Sequence, residues 1–164
     1  MQTRSCVRGV VLVAALAVGS HAGAQCTKYP VGSGACTGKL NLSITISKSG
    51  NKGSLSMTHC PFPPGLSGLT APPLMLTITP GFALQFTNQV RSGKPPCQGK
   101  DEYLATSGER LKYVFGAGET VVATHLKGLP LPGSGVTVTI TDSNNHTVGG
   151  TLTCTATKSR IRCQ

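Results

Sequence analysis

Thr137 to Thr157 read TVTITDSNNHTVGGTLTCTAT, and the reading of this stretch decides the fold. Val136, Val138 and Ile140 alternate with Thr137, Thr139 and Thr141, and Leu152, Cys154 and Ala156 alternate with Thr151, Thr153, Thr155 and Thr157. Successive side chains of a strand point to opposite faces, so apolar residues on one parity mark a half-buried strand. Between the two runs, DSNNHTVGG supplies turn chemistry. Pairing the runs turns their threonines outward in two rows. Such an array of hydroxyl and methyl groups could match an ordered surface such as ice or a polysaccharide crystal. Threonine is also an ordinary choice for a solvated strand face, so the rows read as the wet side of a sheet.

The same alternation recurs upstream. In LNLSITIS (Leu40–Ser47), Leu40, Leu42, Ile44 and Ile46 share one face. After the turn-like KSGNKG, SLSMTHC brings Leu55 and Met57 back to that face, as in a hairpin. Further runs are LMLTIT (74–79), FALQFT (82–87), RLKYVF (110–115) and TVVATHL (120–126). No window reads as a long amphipathic helix, and the best local candidate, DEYLATSGERLKY, is interrupted by Gly108. CPFPPGLSGLTAPP (60–73) and RSGKPPCQGKDE (91–102) are proline-rich and read as long loops, because proline lacks the donor a central strand needs. The expected class is all-β: a disulfide-stapled antiparallel β-sandwich or partly open barrel of about eight short strands. Near the end, Lys158, Arg160 and Arg162 fall in the inward phase of Leu152 and Cys154. Unpaired cations are not buried, so the strand must end or bulge near Thr157, leaving these charges to protect a sheet edge.

Residues 1–24 have the pattern of a signal peptide: Arg4 and Arg8, an apolar run from Val10 to Val18, then Ala22-Gly23-Ala24. That run is shorter than the roughly 20 residues of a membrane-spanning helix. Cleavage after Ala24 leaves a single secreted or periplasmic β domain, residues 25–164, with Gln25 where a lipid-anchored protein would carry a small residue before its cysteine. The cut also removes Cys6 and leaves Cys26, Cys36, Cys60, Cys97, Cys154 and Cys163, an even set suited to disulfides in an oxidising compartment. The closeness of termini in compact domains suggests pairing Cys26 with Cys163.

The chain carries 15 Lys and Arg against 5 Asp and Glu, a formal charge of +10 that becomes +8 once Arg4 and Arg8 are removed. Basic residues recur at Lys48 and Lys52, at Arg91 and Lys94, at Arg110 and Lys112, and at Lys158, Arg160 and Arg162. For an exported protein the anionic neighbours are cell surfaces, acidic glycans and shed nucleic acid. Trp is absent and only Tyr113 sits among basic residues, which disfavours the stacking that single-stranded nucleic acid requires. The leading expectation is a secreted, non-enzymatic binding module that engages an anionic or cell-surface partner through these cations. Ordinary solubility is the plain alternative for scattered charge.

A second expectation is a carrier of a lipid or other apolar ligand, with Phe62, Leu66, Leu69, Leu74 and Met75 around a proline-rich lid. GLPLPGSGVTVTITDSNNHTVGGTLTC (128–154) resembles the closing strands of the ML lipid-recognition family, secreted sandwiches that also use disulfides. The likeness covers less than a fifth of the chain. Catalytic patterns are lacking: the acids Asp101, Glu102, Glu109, Glu119 and Asp142 show no favoured pair, and GxSxG does not occur. Asp142 and His146 have the spacing of an acid–base pair but the composition of a turn. A third expectation follows from cutting after Ser20, which would expose His21 as an amino-terminal copper chelator with His59, His125 or His146. Ala-Gly-Ala is the better cleavage motif, so no catalytic residue, cofactor or metal ligand is assigned. Asn41 and Asn145 begin N-x-Ser/Thr tripeptides that permit glycosylation in a suitable host.

Overall fold

The computed structural model describes residues 34–61, 73–91, 99–114 and 120–164. In chain order its strands are β1 (Gly34–Ala35), β2 (Leu40–Thr45), β3 (Lys52–Met57), β4 (Leu74–Thr79), β5 (Phe82–Arg91) and β6 (Lys100–Ala105). They continue with β7 (Arg110–Val114), β8 (Thr120–Lys127), β9 (Gly135–Thr141), β10 (Thr147–Ala156) and β11 (Arg160–Cys163). Around the sheet the order is β10-β11-β2-β3-β8-β7-β6-β5-β4-β9, and β9 pairs with β10 to close the ring. The result is a closed antiparallel barrel of 10 strands, with β1 paired in parallel to β10 beyond the end of β11, on the edge opposite β9.

Closure corrects the expected sandwich or partly open barrel of about eight strands. Two ring strands are absent from the alternating runs. In β6, KDEYLA, Asp101 shares the inward parity with Tyr103, so no parity is wholly apolar. The helical candidate DEYLATSGERLKY is therefore the β6–β7 hairpin, turned where Gly108 donates its N–H to the Ala105 carbonyl at 3.0 Å with φ +92. In β11, four residues are too few to show a period. That strand pairs with β10 on one side and β2 on the other, so its arginines guard no edge.

Inward positions are apolar almost throughout. Met57, Leu74, Phe86, Leu111, Tyr113 and Val138 present no accessible surface, so no space as large as a water molecule opens beside them. Side chains of this size contribute roughly 1.5–3 kcal/mol each on burial. Outward positions are mostly threonine, serine and cations, with Met75, Val90 and Val114 as exposed apolar exceptions on the described strands, unlike the continuous apolar-out band of a membrane barrel. Among the described residues no helix is long and apolar enough to cross a membrane. The interior holds some polarity near one end: Tyr103 donates its hydroxyl to Asp101 at 3.5 Å, and Tyr113 donates to the Pro61 carbonyl at 2.8 Å. Burial first, and then the Asp101 carboxylate, hold the Tyr103 phenol well above its ordinary range.

Among the described residues two disulfides brace the wall, as suits an oxidising compartment. Cys36–Cys60 ties the β1 segment to the end of β3. Cys154–Cys163 joins β10 to β11, which corrects the expected Cys26–Cys163 pair: the β10–β11 hairpin sets Cys154 directly opposite Cys163, with Cα atoms 4.0 Å apart. Cys26 and Cys97 lie outside the described residues.

Candidate functional site

The cations gather where the strand phase has been reset. After β10 the chain turns through Thr157–Ser159, and β11 restarts with Ile161 and Cys163 inward, so Arg160 and Arg162 face solvent. The Thr157 hydroxyl pins this turn by donating to the Arg160 carbonyl at 2.9 Å and accepting the Arg160 N–H at 3.2 Å. A second reset lies in β8. Val121 and Ala123 face inward, and simple alternation would send Lys127 inward as well. Instead the β3–β8 register slips between Gly53 and Leu55, with His125 at φ +61. The extra residue of such a bulge re-aims the side chains beyond it, so Leu126 is buried and Lys127 faces out.

These resets build one band across four strands. Arg160 pairs with Thr45, Thr45 with Lys52, and Lys52 with Lys127. Lys48 stands beside the band in the β2–β3 turn, and Lys158 in the β10–β11 turn. The turns at this end of the barrel are stitched together. Ile46 donates its N–H to the Ser159 carbonyl at 2.9 Å, and the Asn51 side chain donates to the Leu129 carbonyl at 2.9 Å. The Lys127 ammonium donates to the Ser107 carbonyl at 3.1 Å.

The carboxylates are elsewhere engaged. Asp101, Glu102, Glu109 and Asp142 are all buried, so no acidic side chain is exposed among the described residues. Glu102 accepts Arg110 at 3.0 Å and lies 3.9 Å from Lys112. Ser107 donates to Glu109. Asp142 holds the β9–β10 turn, with Oδ1 accepting the N–H groups of Asn144 and His146 at 2.9 Å each and Oδ2 lying 3.0 Å from His146 Nδ1. That geometry is turn chemistry.

Of the nine cations singled out in the sequence, the structure brings Lys48, Lys52, Lys158, Arg160 and Arg162 together, all exposed and without an ion pair among the described residues. Arg110 and Lys112 share Glu102 on β7 instead. Arg91 ends β5 at the opposite end of the barrel, and Lys94 lies outside the described residues. Lys127 and Lys39 join the exposed set, and sequence reasoning missed both. The parity of Lys127, a cation in an apolar phase, is the signal that would have revealed the bulge.

Beside the band, three adjoining concavities follow β11. One of about 440 Å³ is lined by Thr155, Thr157, Ser159, Arg160 and Arg162. A second of about 300 Å³ adds Asn41 and Ser43 to the same arginines, and a third of about 520 Å³ continues past Gln164 to Lys39. The first two lie along β11 itself, and the third lies past its end at Cys163, between β10 and the start of β2.

The threonine rows divide: Thr155 and Thr157 line the concavity beside the arginines, and the others lie along β9 and β10. Thr151 pairs with Thr137 and Thr137 with Thr79, while Thr139 faces Thr77 on one side and Gly149 on the other. Gly149 interrupts the row because a Cβ there would come within 2.0 Å of the Val138 carbonyl oxygen. Hydroxyls pair across the strands, Thr137 with Thr151 at 3.2 Å and Thr141 with Thr147 at 2.9 Å. Of the apolar residues considered for a ligand lid, Leu74 is buried and Met75 exposed on opposite faces of β4. Phe62, Leu66 and Leu69 lie outside the described residues, as does His21. Among the described residues no three His, Cys, Asp or Glu side chains gather to hold a metal ion. Comparison with family models, with curated proteins and with solved structures returns no match.

Proposed function

We propose that this chain is an exported binding module that engages an anionic partner, a cell-surface or extracellular polyanion, through the band Arg160–Lys52–Lys127 and its flanking Lys48 and Lys158. The reading joins the signal-like residues 1–24 to the disulfide-braced barrel and puts the protein outside the cytoplasm. One observation carries it. Lys52 and Lys127 stand directly opposite each other in the ladder, and neither forms an ion pair with a described acid. Like charges facing across a strand pair destabilise a sheet. A like-charge pair that no ion pair offsets is what a partner-facing surface looks like.

The test is retention on an immobilised sulfated polysaccharide. Retention should fall steeply as added salt shortens the screening length to about 8 Å at 0.15 M. Lys52→Gln with Lys127→Gln should elute at markedly lower salt than the parent. Arg110→Gln with Lys112→Gln should shift elution less, because Glu102 already offsets those charges. Retention indifferent to salt and to the Lys52/Lys127 change would overturn the proposal.

A further inference from the structure

We infer that the depression along β11 seats an extended acidic polysaccharide, with Arg160 and Arg162 holding its anionic groups and Lys39 marking its far end. This rests on the anion-binding reading above and names the ligand class. The depression has length: Thr45, opposite Arg160, lies six residues from Lys39 along β2, roughly 20 Å at about 3.3 Å per residue. That is the reach of a chain rather than of one ion. Along it the cations are spaced, not clustered, with Arg160 and Arg162 on one face of β11 about 6.7 Å apart.

The lining chooses among polyanions. Guanidinium groups present planar forks suited to carboxylate, sulfate or phosphate. Between and beside them stand neutral groups: Ser43, Asn41, Thr151 and Ser159 offer donors and acceptors to ring hydroxyls, and Thr155 and Thr157 offer acceptors. The Thr155 and Thr157 hydroxyls donate to the carbonyls of Arg162 and Arg160, fixing the backbone that carries the arginines. Among the described residues no aromatic side chain lines any of the three concavities, so bases find no stacking platform there. The large apolar residues in the lining are Leu40 and Leu42, and Leu42 is buried, so nothing projects that would enter a lipid surface. Strand addition by a peptide is closed off over the length of β11, which is paired on both sides.

The experiment compares short fragments of polygalacturonate, a linear uronate polymer, with single-stranded DNA of equal charge and with vesicles containing anionic lipid. Each is titrated into the oxidised, processed protein and into Arg160→Gln/Arg162→Gln. Binding of polygalacturonate at least tenfold tighter than DNA or vesicles, lost at least tenfold in the double variant, is the expected result. Amide shifts in the parent should then map to Asn41, Ser43 and Thr155. The thermal midpoint of the variant should match the parent, since both arginines are exposed and form no ion pair among the described residues. If the double variant keeps its uronate affinity while salt-sensitive retention on the sulfated column persists, the seat along β11 is wrong and the broader anion reading stands. DNA or vesicles binding as tightly as the uronate polymer overturns the ligand class. A protein that retains no polyanion at all overturns both.

Discussion

The threonine face of β10, β9 and β4 and the cationic face of β11, β2, β3 and β8 are built on the same wall by different rules. On the threonine face every outward residue is neutral, most are threonine, of high strand propensity, and in two places hydroxyls pair across the strands. Alternation runs through it without a break until Gly149. The cationic face sets Lys52 against Lys127 and needs a turn at Thr157–Ser159 and a bulge at His125 to bring its charges outside. One face satisfies local physics at every position, and the other departs from it. Departures of that kind concentrate where a surface serves something besides folding, and for this reason the functional reading is placed on the cations and not on the more regular threonines.

The largest expected effect comes from removing the bulge. Deleting Thr124 and His125, the two residues that face Ser54 across the slip, sets Leu126 directly after Ala123, which turns Leu126 outward and Lys127 into the interior. An unpaired buried cation costs about 3–5 kcal/mol and an exposed leucine about 1.5–3. The deletion should therefore cost at least about 3 kcal/mol, read as a fall in the urea midpoint. It should abolish retention on the polysaccharide column in whatever fraction still folds. A deletion variant of parental stability would mean that the bulge does not set the phase of Lys127, and the contrast between the two faces would lose its structural basis.

The disulfides sharpen the contrast at a lower level. The threonine hairpin is held by a ladder running from Thr147 to Thr153, whereas β11 meets β10 over the shorter stretch from Thr153 to Thr157 and carries a crosslink within it. Loop-closure entropy gives about 2.5 kcal/mol for Cys154–Cys163, with a sequence separation of 9, and about 3.5 for Cys36–Cys60, with a separation of 24. Replacing Cys36 and Cys60 by alanine should thus cost the more stability. Replacing Cys154 and Cys163 should cost less stability but more retention, because it loosens the strand that carries Arg160 and Arg162. Equal loss of retention in both variants at matched stability would show that β11 needs no fastening.

How much of the molecule was legible in the sequence depends on the same contrast. Val138, Ile140 and Leu152 announce their strands because nothing interrupts period two, and the outward threonines come from parity alone. The parity of Lys158, Arg160 and Arg162 likewise demanded a break near Thr157, and β10 does end at Ala156. What could not be read was where each break sends the next residue. A bulge adds one residue, and its one trace in the sequence is a cation, Lys127, that falls on the apolar phase of Val121 and Ala123 just past the run 120–126. β6 stayed hidden for a related reason: an interior Asp101 that is hydrogen-bonded to Tyr103 costs little in the fold but erases the apolar parity from the sequence. Closure itself depends on β9 meeting both β4 and β10, and on β11 meeting β2, pairings between distant segments that no local pattern encodes.

The smallest effect tests the like-charge pair itself. If Lys52 and Lys127 repel across the ladder, Lys52→Gln should stabilise the protein while weakening its hold on a polyanion. The gain should sit near the lower end of cross-strand pair energies, about 0.2–0.5 kcal/mol, because the Lys127 ammonium leans toward the Ser107 carbonyl and away from its neighbour. Salt separates this from any change in strand propensity. Raising ionic strength to about 1 M shortens the screening length to about 3 Å, and the gain should vanish there. Thr137→Val on the other face is the matched control, since it removes one uncharged hydroxyl from the pair with Thr151. Its effect, whatever its sign, should be the same at low and high salt. Urea midpoints of both variants at two salt concentrations decide the matter, and a stabilisation by Lys52→Gln that survives high salt would mean that the opposed lysines carry no electrostatic cost. The cationic face would then be as locally contented as the threonine face, and the chief reason for assigning it a partner would be gone.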